Sequence, residues 1–388
     1  MAIFKALQEM ESQVVHHRRS LHQIPEPGFE EYATSEYICK TLDELNITYE
    51  KNIGKTGIVA CIKGQGSQKT LAFRADMDAL SLDEQNDIDF KSKRPGFMHG
   101  CGHDGHMTML LVFAEYLMNN LQDLKVDVVL IFQPAEEGPG GAEVMLEAGI
   151  VDRYNIDEFY GIHLHPEFDQ GTLAISAGPV MAMTGEFDID VLSASGHGAM
   201  PHTANDATQI GCQMISQFQT IISRNTNPTQ AGVLTVGKLY AGERRNIIAD
   251  HMRLEGTIRA FDETTFYLIQ KRMADICKGL ETSFSCEIRL DQRTMYPPVI
   301  NHKSSVDLFK AANQTMTVVD FPPQMISEDF SYFLKARPGA FVFLGTRNPD
   351  MDFVYPLHNS KFNFDEGALL FGIQSYINLL NHLGSDFK

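Results

Sequence analysis

The chain has 388 residues, more than the roughly 250–300 at which a single hydrophobic core stops growing, so two domains are expected. With 43% apolar residues it can build real cores, and 50 acidic against 32 basic residues leave a net charge of -18 that repels phosphate backbones and anionic membrane surfaces, excluding nucleic acid and membrane as partners. The six cysteines (Cys39, Cys61, Cys101, Cys212, Cys277 and Cys286) are scattered, with no C-x-x-C pair and no disulfide-framework spacing, and point to a reducing, cytoplasmic location.

The N-terminal segment MAIFKALQEMESQVVHHRRSLH carries charges throughout and reads as an amphipathic helix rather than a signal peptide. GIVACIKG and KTLAFRAD follow as strands, then GHMTMLLVFAEYLMNNL as a helix and VDVVLIFQPAEEG as a strand whose consecutive apolar positions suit burial on both faces. GGAEVMLEAG is a helix closed by Gly149. This alternation predicts an α/β layer architecture. From about residue 182 the texture changes to period-two strands, beginning with TGEFDIDVLSAS. A helix (about 205–224), GVLTVGKLYAG and MRLEGTIRAFD, a helix near 263–280 and FSCEIRLDQRT complete the order of a ferredoxin-like α+β module. GAFVFLGT and the helix DEGALLFGIQSYINLLNHL then return to α/β. The expected organisation is one α/β domain (1–181 and 296–388) interrupted by a smaller inserted domain (182–295).

The residues that carry chemistry gather at predicted strand ends. KRPGFMHGCGHDGHM packs three histidines, one cysteine and one aspartate around four glycines, a composition suited to lone pairs converging on a cation. Asp76 and Asp78 in FRADMDAL lie two apart and so share a face of the strand. Glu136 and Glu137 in QPAEEG follow a buried strand; consecutive carboxylates point differently, so one can bind metal while the other acts as a base. His163 and His165 in YGIHLHP and His358 in YPLHNS sit at further strand-to-loop junctions. A cysteine and imidazole set suits borderline transition ions, whereas carboxylates alone would suit magnesium or calcium. Asp76 and Asp78 could hold histidine rings in the required tautomer.

Across almost its whole length the chain resembles the M20 amidohydrolases, in the branch of N-acyl-amino-acid hydrolases, hippurate hydrolase-like enzymes and N-acetyldiaminopimelate deacetylase. The motifs are RRSLHQIPEPGFEE, FRADMDAL, MHGCGHDGHM, FQPAEEGPGGA, GIHLHP, GHGAMPHTANDA, NIIAD, RLEGTIR, SEDFSYF and LHNSKFNFDE. The resemblance implies a zinc-peptidase-like α/β catalytic domain with an inserted ferredoxin-like lid and dimerisation domain, and a homodimer through that insertion. It implies two divalent metal ions (Mn, Zn, Co or Ni) held by Cys101, His103, Glu137, His163 and His358, with Glu136 as general base and Asp78 as assisting aspartate. His197 would stabilise the oxyanion, within one subunit or across two, and Asn246 and Arg259 would grip the substrate carboxylate, as a planar guanidinium does well. Gly100 and Ser81 depart from residues common in the family but leave every ligand in place.

The expected reaction is hydrolysis of the amide of a small N-acyl amino acid by metal-activated water, Glu136 taking a proton and returning it to the leaving amine. A metallo-dipeptidase or aminopeptidase, needing a site for a free substrate amine, is the alternative within the same class. A non-catalytic protein with structural zinc is the alternative outside it, and a five-ligand set flanked by a further glutamate argues against so closed a site.

Overall fold

The computed structural model describes residues 3–388. The chain divides into two compact units: Met1–Gly178 with Ile300–Pro322 and Asp329–Lys388, and Pro179–Val299 with Pro323–Glu328. No helix among the described residues is long and apolar enough to cross a membrane.

The first unit begins with helices α1 (Lys5–Gln8), α2 (Glu11–His22) and α3 (Tyr32–Glu44). The single N-terminal helix expected from sequence is thus two, separated at Glu9–Met10. Strands β1 (Tyr49–Ile53), β2 (Gly57–Ile62) and β3 (Thr70–Asp76) precede helix α4 (His103–Asn119), then β4 (Asp127–Gln133), the short helices α5 (Gly141–Glu147) and α6 (Ile150–Arg153), β5 (Glu158–Asp169) and β6 (Leu173–Ala174). β7 (Gly178–Met181) and β14 (Val299–Asn301) lie where the chain passes between the units. In the second unit come β8 (Met183–Leu192), β9 (Gly196–His197), α7 (Ala207–Thr220), β10 (Gly232–Ala241), β11 (Ile247–Ile248), β12 (His251–Ala260), α8 (Glu263–Phe284) and β13 (Glu287–Thr294). The first unit finishes with α9 (Lys303–Ala312), β15 (Val318–Val319), α10 (Ser331–Ala336), β16 (Gly339–Arg347) and α11 (Ala368–His382).

The first unit is built on an eight-stranded sheet in the order β1-β2-β4-β3-β5-β16-β6-β15. β3, β4, β5 and β16 run parallel, so their carboxyl ends share one edge. β4 is buried from Val128 onward, as its unbroken apolar run requires. α4 is buried at nearly every position from His103 to Leu117 and packs as a central helix, which explains why its sequence is apolar all round. The second unit has a four-stranded antiparallel sheet in the order β10-β12-β8-β13, the ferredoxin-like order, with α7 and α8 sharing its core. α7 starts at Asp206, whose carboxylate accepts from Thr208 N–H (3.0 Å) and Gln209 N–H (3.3 Å).

Gly149 has a φ of 79° and donates to the Leu146 carbonyl (2.8 Å) just after α5, as the sequence suggests. Gly141 is required by space at the other end of that helix: a Cβ there would lie 1.9 Å from the Pro134 carbonyl oxygen. An alanine usually stabilises a helix relative to glycine, but here the clash reverses the sign. Gly141→Ala is expected to cost roughly 1–3 kcal/mol in urea denaturation; a wild-type midpoint would contradict this packing.

Candidate metal centre

Sheet register brings the motifs together. Asp76 ends β3 opposite Gln133, the last residue of β4, and Arg74 pairs with Gly161 on β5, so Asp76 and His163 both stand two residues beyond that pair at the carboxyl edge. Sequence reading places His163 and His165 at a strand end, but β5 continues to Asp169 because β16 goes on pairing with it. Cys101 and His103 flank Gly102, whose φ of 88° and missing Cβ allow the turn into α4; a Cβ would meet Leu164 Cδ1 at 3.0 Å. His358 is tied to the same turn, donating its N–H to the Gly100 carbonyl (2.9 Å). An alanine at Gly100 would place its Cβ 3.0 Å from Leu82 Cδ2, the movable end of a side chain.

The five expected ligands and Glu136 converge. Cys101, Glu137 and His358 form one group whose ligand atoms lie within 4.8 Å of one another, and His103, Glu136 and Glu137 form another, so Glu137 is common to both. Cys101 Sγ stands 3.5 Å from His163 Nε2, and His358 Nε2 3.1 Å from Glu137 Oε1. A further group contains Asp76, His103, His106 and His163.

Hydrogen bonds separate the expected ligands from supports. His103 donates Nδ1–H to the Asp78 carbonyl (2.9 Å), and its buried Nε2 has no hydrogen-bond partner among the described residues. His163 donates Nδ1–H to the Leu164 carbonyl (2.7 Å), again leaving Nε2 as a lone pair. His106 is different: Nδ1 donates to Asp76 Oδ1 (2.6 Å) while Nε2 accepts the Leu164 N–H (2.9 Å), so both nitrogens are occupied. The Asp78 carboxylate accepts the Glu137 N–H (2.9 Å) and stands 3.3 Å from His103 Nδ1, fixing a ligand from each side.

Two buried frameworks support this constellation, and sequence reading missed most of their members. In the first, Arg74 donates to Asp76 (2.7 Å), Asp329 (3.0 Å) and Gln133 (2.8 Å), and Asp329 accepts the N–H groups of Gly141 and Ala142 (both 3.0 Å). Glu31 accepts the N–H of Ala135 (2.8 Å), which precedes Glu136 and has a φ of 54°. In the second, Arg18 lies between the rings of Phe90 and Phe364, 4.6 Å from each centroid, and 3.2 Å from Asp104; His22 bridges Asp104 (2.7 Å) and Glu84 (3.1 Å). Arg74 was detectable as a cation inside the apolar strand TLAFRAD, two residues before Asp76, and Arg18 and His22 as an i, i+4 pair.

Electrostatics follow from these partners. Burial opposes the charge on Asp76, but Arg74, His103 and His106 hold it well below the ordinary carboxylate range. Burial likewise opposes a proton on His103, yet Asp76, Asp78 and Glu137 push it up to about 10. Burial, reinforced by His106, keeps His163 neutral, and burial with Glu137 and Glu136 raises the Cys101 thiol. Burial lowers His99 to about 3, and this histidine serves as a neutral buried ring beside His22. The carboxylates that favour positive charge at His103, together with its unpartnered Nε2, fit a bound cation.

The remaining expected site residues lie in the second unit. His197 pairs with Ile247 across β9 and β11, and the neighbouring Gly198 N–H donates to the Asn246 carbonyl (2.9 Å), so His197 and Asn246 share one exposed two-stranded ribbon. Arg259 is half-buried near the far end of β12, its guanidinium donating to the Ile258 carbonyl (3.0 Å). At about 3.3 Å per residue, Arg259 is roughly 26 Å along β12 from His251, the end that follows β11. The second unit therefore does not bring Arg259 to His197 and Asn246.

Removing metal with a chelator is expected to lower Tm, and restoring Mn, Zn, Co or Ni at about 100 times Kd to return about 2.7 kcal/mol. With cobalt, the thiolate charge-transfer absorption should disappear in Cys101→Ser; a Tm insensitive to chelator and metal would contradict the site.

Residues 72–382 match the model of peptidase family M20/M25/M40. The chain is 40% identical over 356 residues to the N-acetyldiaminopimelate deacetylase of Bacillus velezensis, covering 91% of this chain and 93% of that one. It is 38% identical over 376 residues to thermostable carboxypeptidase 2 of Saccharolobus solfataricus, covering 94% of each. Among solved structures, a dinuclear metal-binding peptidase of family M20 from Bacillus subtilis superposes with a TM-score of 0.84 at 29% identity, covering 97% of this chain and 99% of that one. The chain belongs to peptidase family M20/M25/M40.

Proposed function

We propose that this protein is a metal-dependent amidohydrolase that releases amino acids from their N-acyl derivatives, with Cys101, His103, Glu137, His163 and His358 holding two divalent ions. The observation that carries the reading is Glu136: its carboxylate lies within 4.8 Å of ligand atoms of His103 and Glu137, yet it is not needed to complete the five-residue set. Bound metals would polarise the amide carbonyl and lower the pKa of water. Glu136 accepts the proton of the attacking water and delivers it to the leaving nitrogen. Asp78 fixes the His103 ring and the Glu137 backbone through the contacts described above. His197 stabilises the oxyanion, and the substrate carboxylate is bound by Asn246, beside His197, from one chain and by Arg259 from the other.

The deacetylase and the carboxypeptidase among the relatives support one substrate class, since both cut an amide and free an amino acid. A peptide is then an N-acyl amino acid whose acyl group is another residue. The six free cysteines support a cytoplasmic location. A homodimer through the inserted domain is supported by edge strand β10, which exposes Val233, Leu239 and Tyr240, the last lining one cavity with the exposed Ile247. The separation of Arg259 from the ribbon that carries His197 and Asn246 supports a division of labour in which these two residues serve the neighbouring chain's site.

Glu136→Gln is expected to retain metal and lose turnover by about 10²–10⁴-fold; normal turnover would contradict the assignment. Mixed with His197→Ala, itself nearly inactive, it should regain activity if His197 acts across subunits. No recovery in verified mixed dimers would place His197 in its own chain's site.

A further inference from the structure

We infer that the segment 241–249, which leads through Asn246 into the ribbon with His197, also forms a distal substrate subsite, shaped for a zwitterionic amino-acid head remote from the amide that is cut. The inference rests on the proposed reaction and on these two residues meeting substrate. A cavity of about 540 Å³ opens against this segment, lined by Gly198, Asp206, Glu243, Arg244 and Arg245 among others. That volume is in the range of small-molecule sites. Gly242, with a φ of 63°, turns the chain, and the Ile247 N–H donates to the Arg244 carbonyl (3.2 Å), placing both arginines on the segment that leads into Asn246.

Pairing distinguishes the arginines of this segment from three on the sheet. Arg253, Arg289 and Arg293 on the sheet are each paired with carboxylates. The exposed guanidinium groups of Arg244 and Arg245 have no ion-pair or hydrogen-bond partner among the described residues. Two adjacent unpaired guanidiniums are notable in a chain of net charge -18. They offer forked donors for a carboxylate. Glu243 and Asp206 line the same cavity, and Asp206 is oriented by its hydrogen bonds to the start of α7, so acceptors for an ammonium stand beside the donors for a carboxylate. An amino-acid head carries both groups on one carbon. N-acetyldiaminopimelate, named for a relative, presents such a head at the end opposite its acetyl group.

The test compares N-acetyldiaminopimelate, which has both distal groups, with N-acetyl-2-aminopimelate (carboxylate only), Nα-acetyl-lysine (ammonium only) and N-acetylnorleucine (neither), using the metal-loaded full chain. The wild type should favour N-acetyldiaminopimelate over N-acetylnorleucine by at least about tenfold in kcat/KM. The double variant Arg244→Gln/Arg245→Gln should lose about tenfold more on the two substrates with a distal carboxylate than on the other two, mainly through KM, with unchanged Tm. Arg244→Lys/Arg245→Lys should recover part of the loss. Equal wild-type values for the diaminopimelate and norleucine substrates, or an equal loss on all four, would overturn the subsite and leave the amidohydrolase reading intact. Turnover of none of the four would overturn the reading and the subsite together.

Discussion

The burial of Asp76 is the constraint on which the site depends. A carboxylate removed from water is tolerated only when it is paired and hydrogen-bonded, and Asp76 obtains this from Arg74 and His106. Each partner then has a second obligation. His106 accepts the Leu164 N–H, fixing β5 beside His163, while Arg74 reaches Asp329, which receives the first N–H groups of α5 after the Glu136–Glu137 loop. One chain of buried polar contacts therefore sets the position of a histidine on one strand relative to a glutamate loop on another. Removing one member would leave charge unpaired in the core, a defect of about 3–5 kcal/mol.

Arg18, His22, Asp104 and Glu84 perform the corresponding task for the turn bearing Cys101 and His103. Arg18 also donates to Asn363 (2.7 Å), so the N-terminal helix, the start of α4 and the segment after His358 meet at one guanidinium. This explains why recognisable motifs extend far beyond the ligands. RRSLH and SEDFSYF contain residues of the two frameworks that hold the metal-binding atoms in place.

Much of this was legible because it depends on local pattern. Consecutive apolar residues marked β4 as buried, period-two alternation marked the second unit's sheet, and glycines around Cys101 marked a tight turn that Gly102 makes with a positive φ. The tautomers of His103 and His163 were not legible, since they are set by backbone carbonyls brought close by folding. Nor were the roles of Arg74 and Asp329, separated by 255 positions, or of Arg18 and Asn363, separated by 345. The sequence reading leaves Asp104 and His106 outside the ligand set without naming their partners, and the structure supplies these: Arg18 and His22 for Asp104, Asp76 and Leu164 for His106.

In the proposed reaction a five-residue set holds metal and Glu136 moves protons. Its most direct test is amine release from N-acetyl amino acids by chelator-stripped protein titrated with manganese or zinc, with bound metal counted at each step. Activity should rise from zero with added metal and level off at two ions per chain. Release by the metal-free protein, or full metal occupancy without release from any substrate, would contradict it.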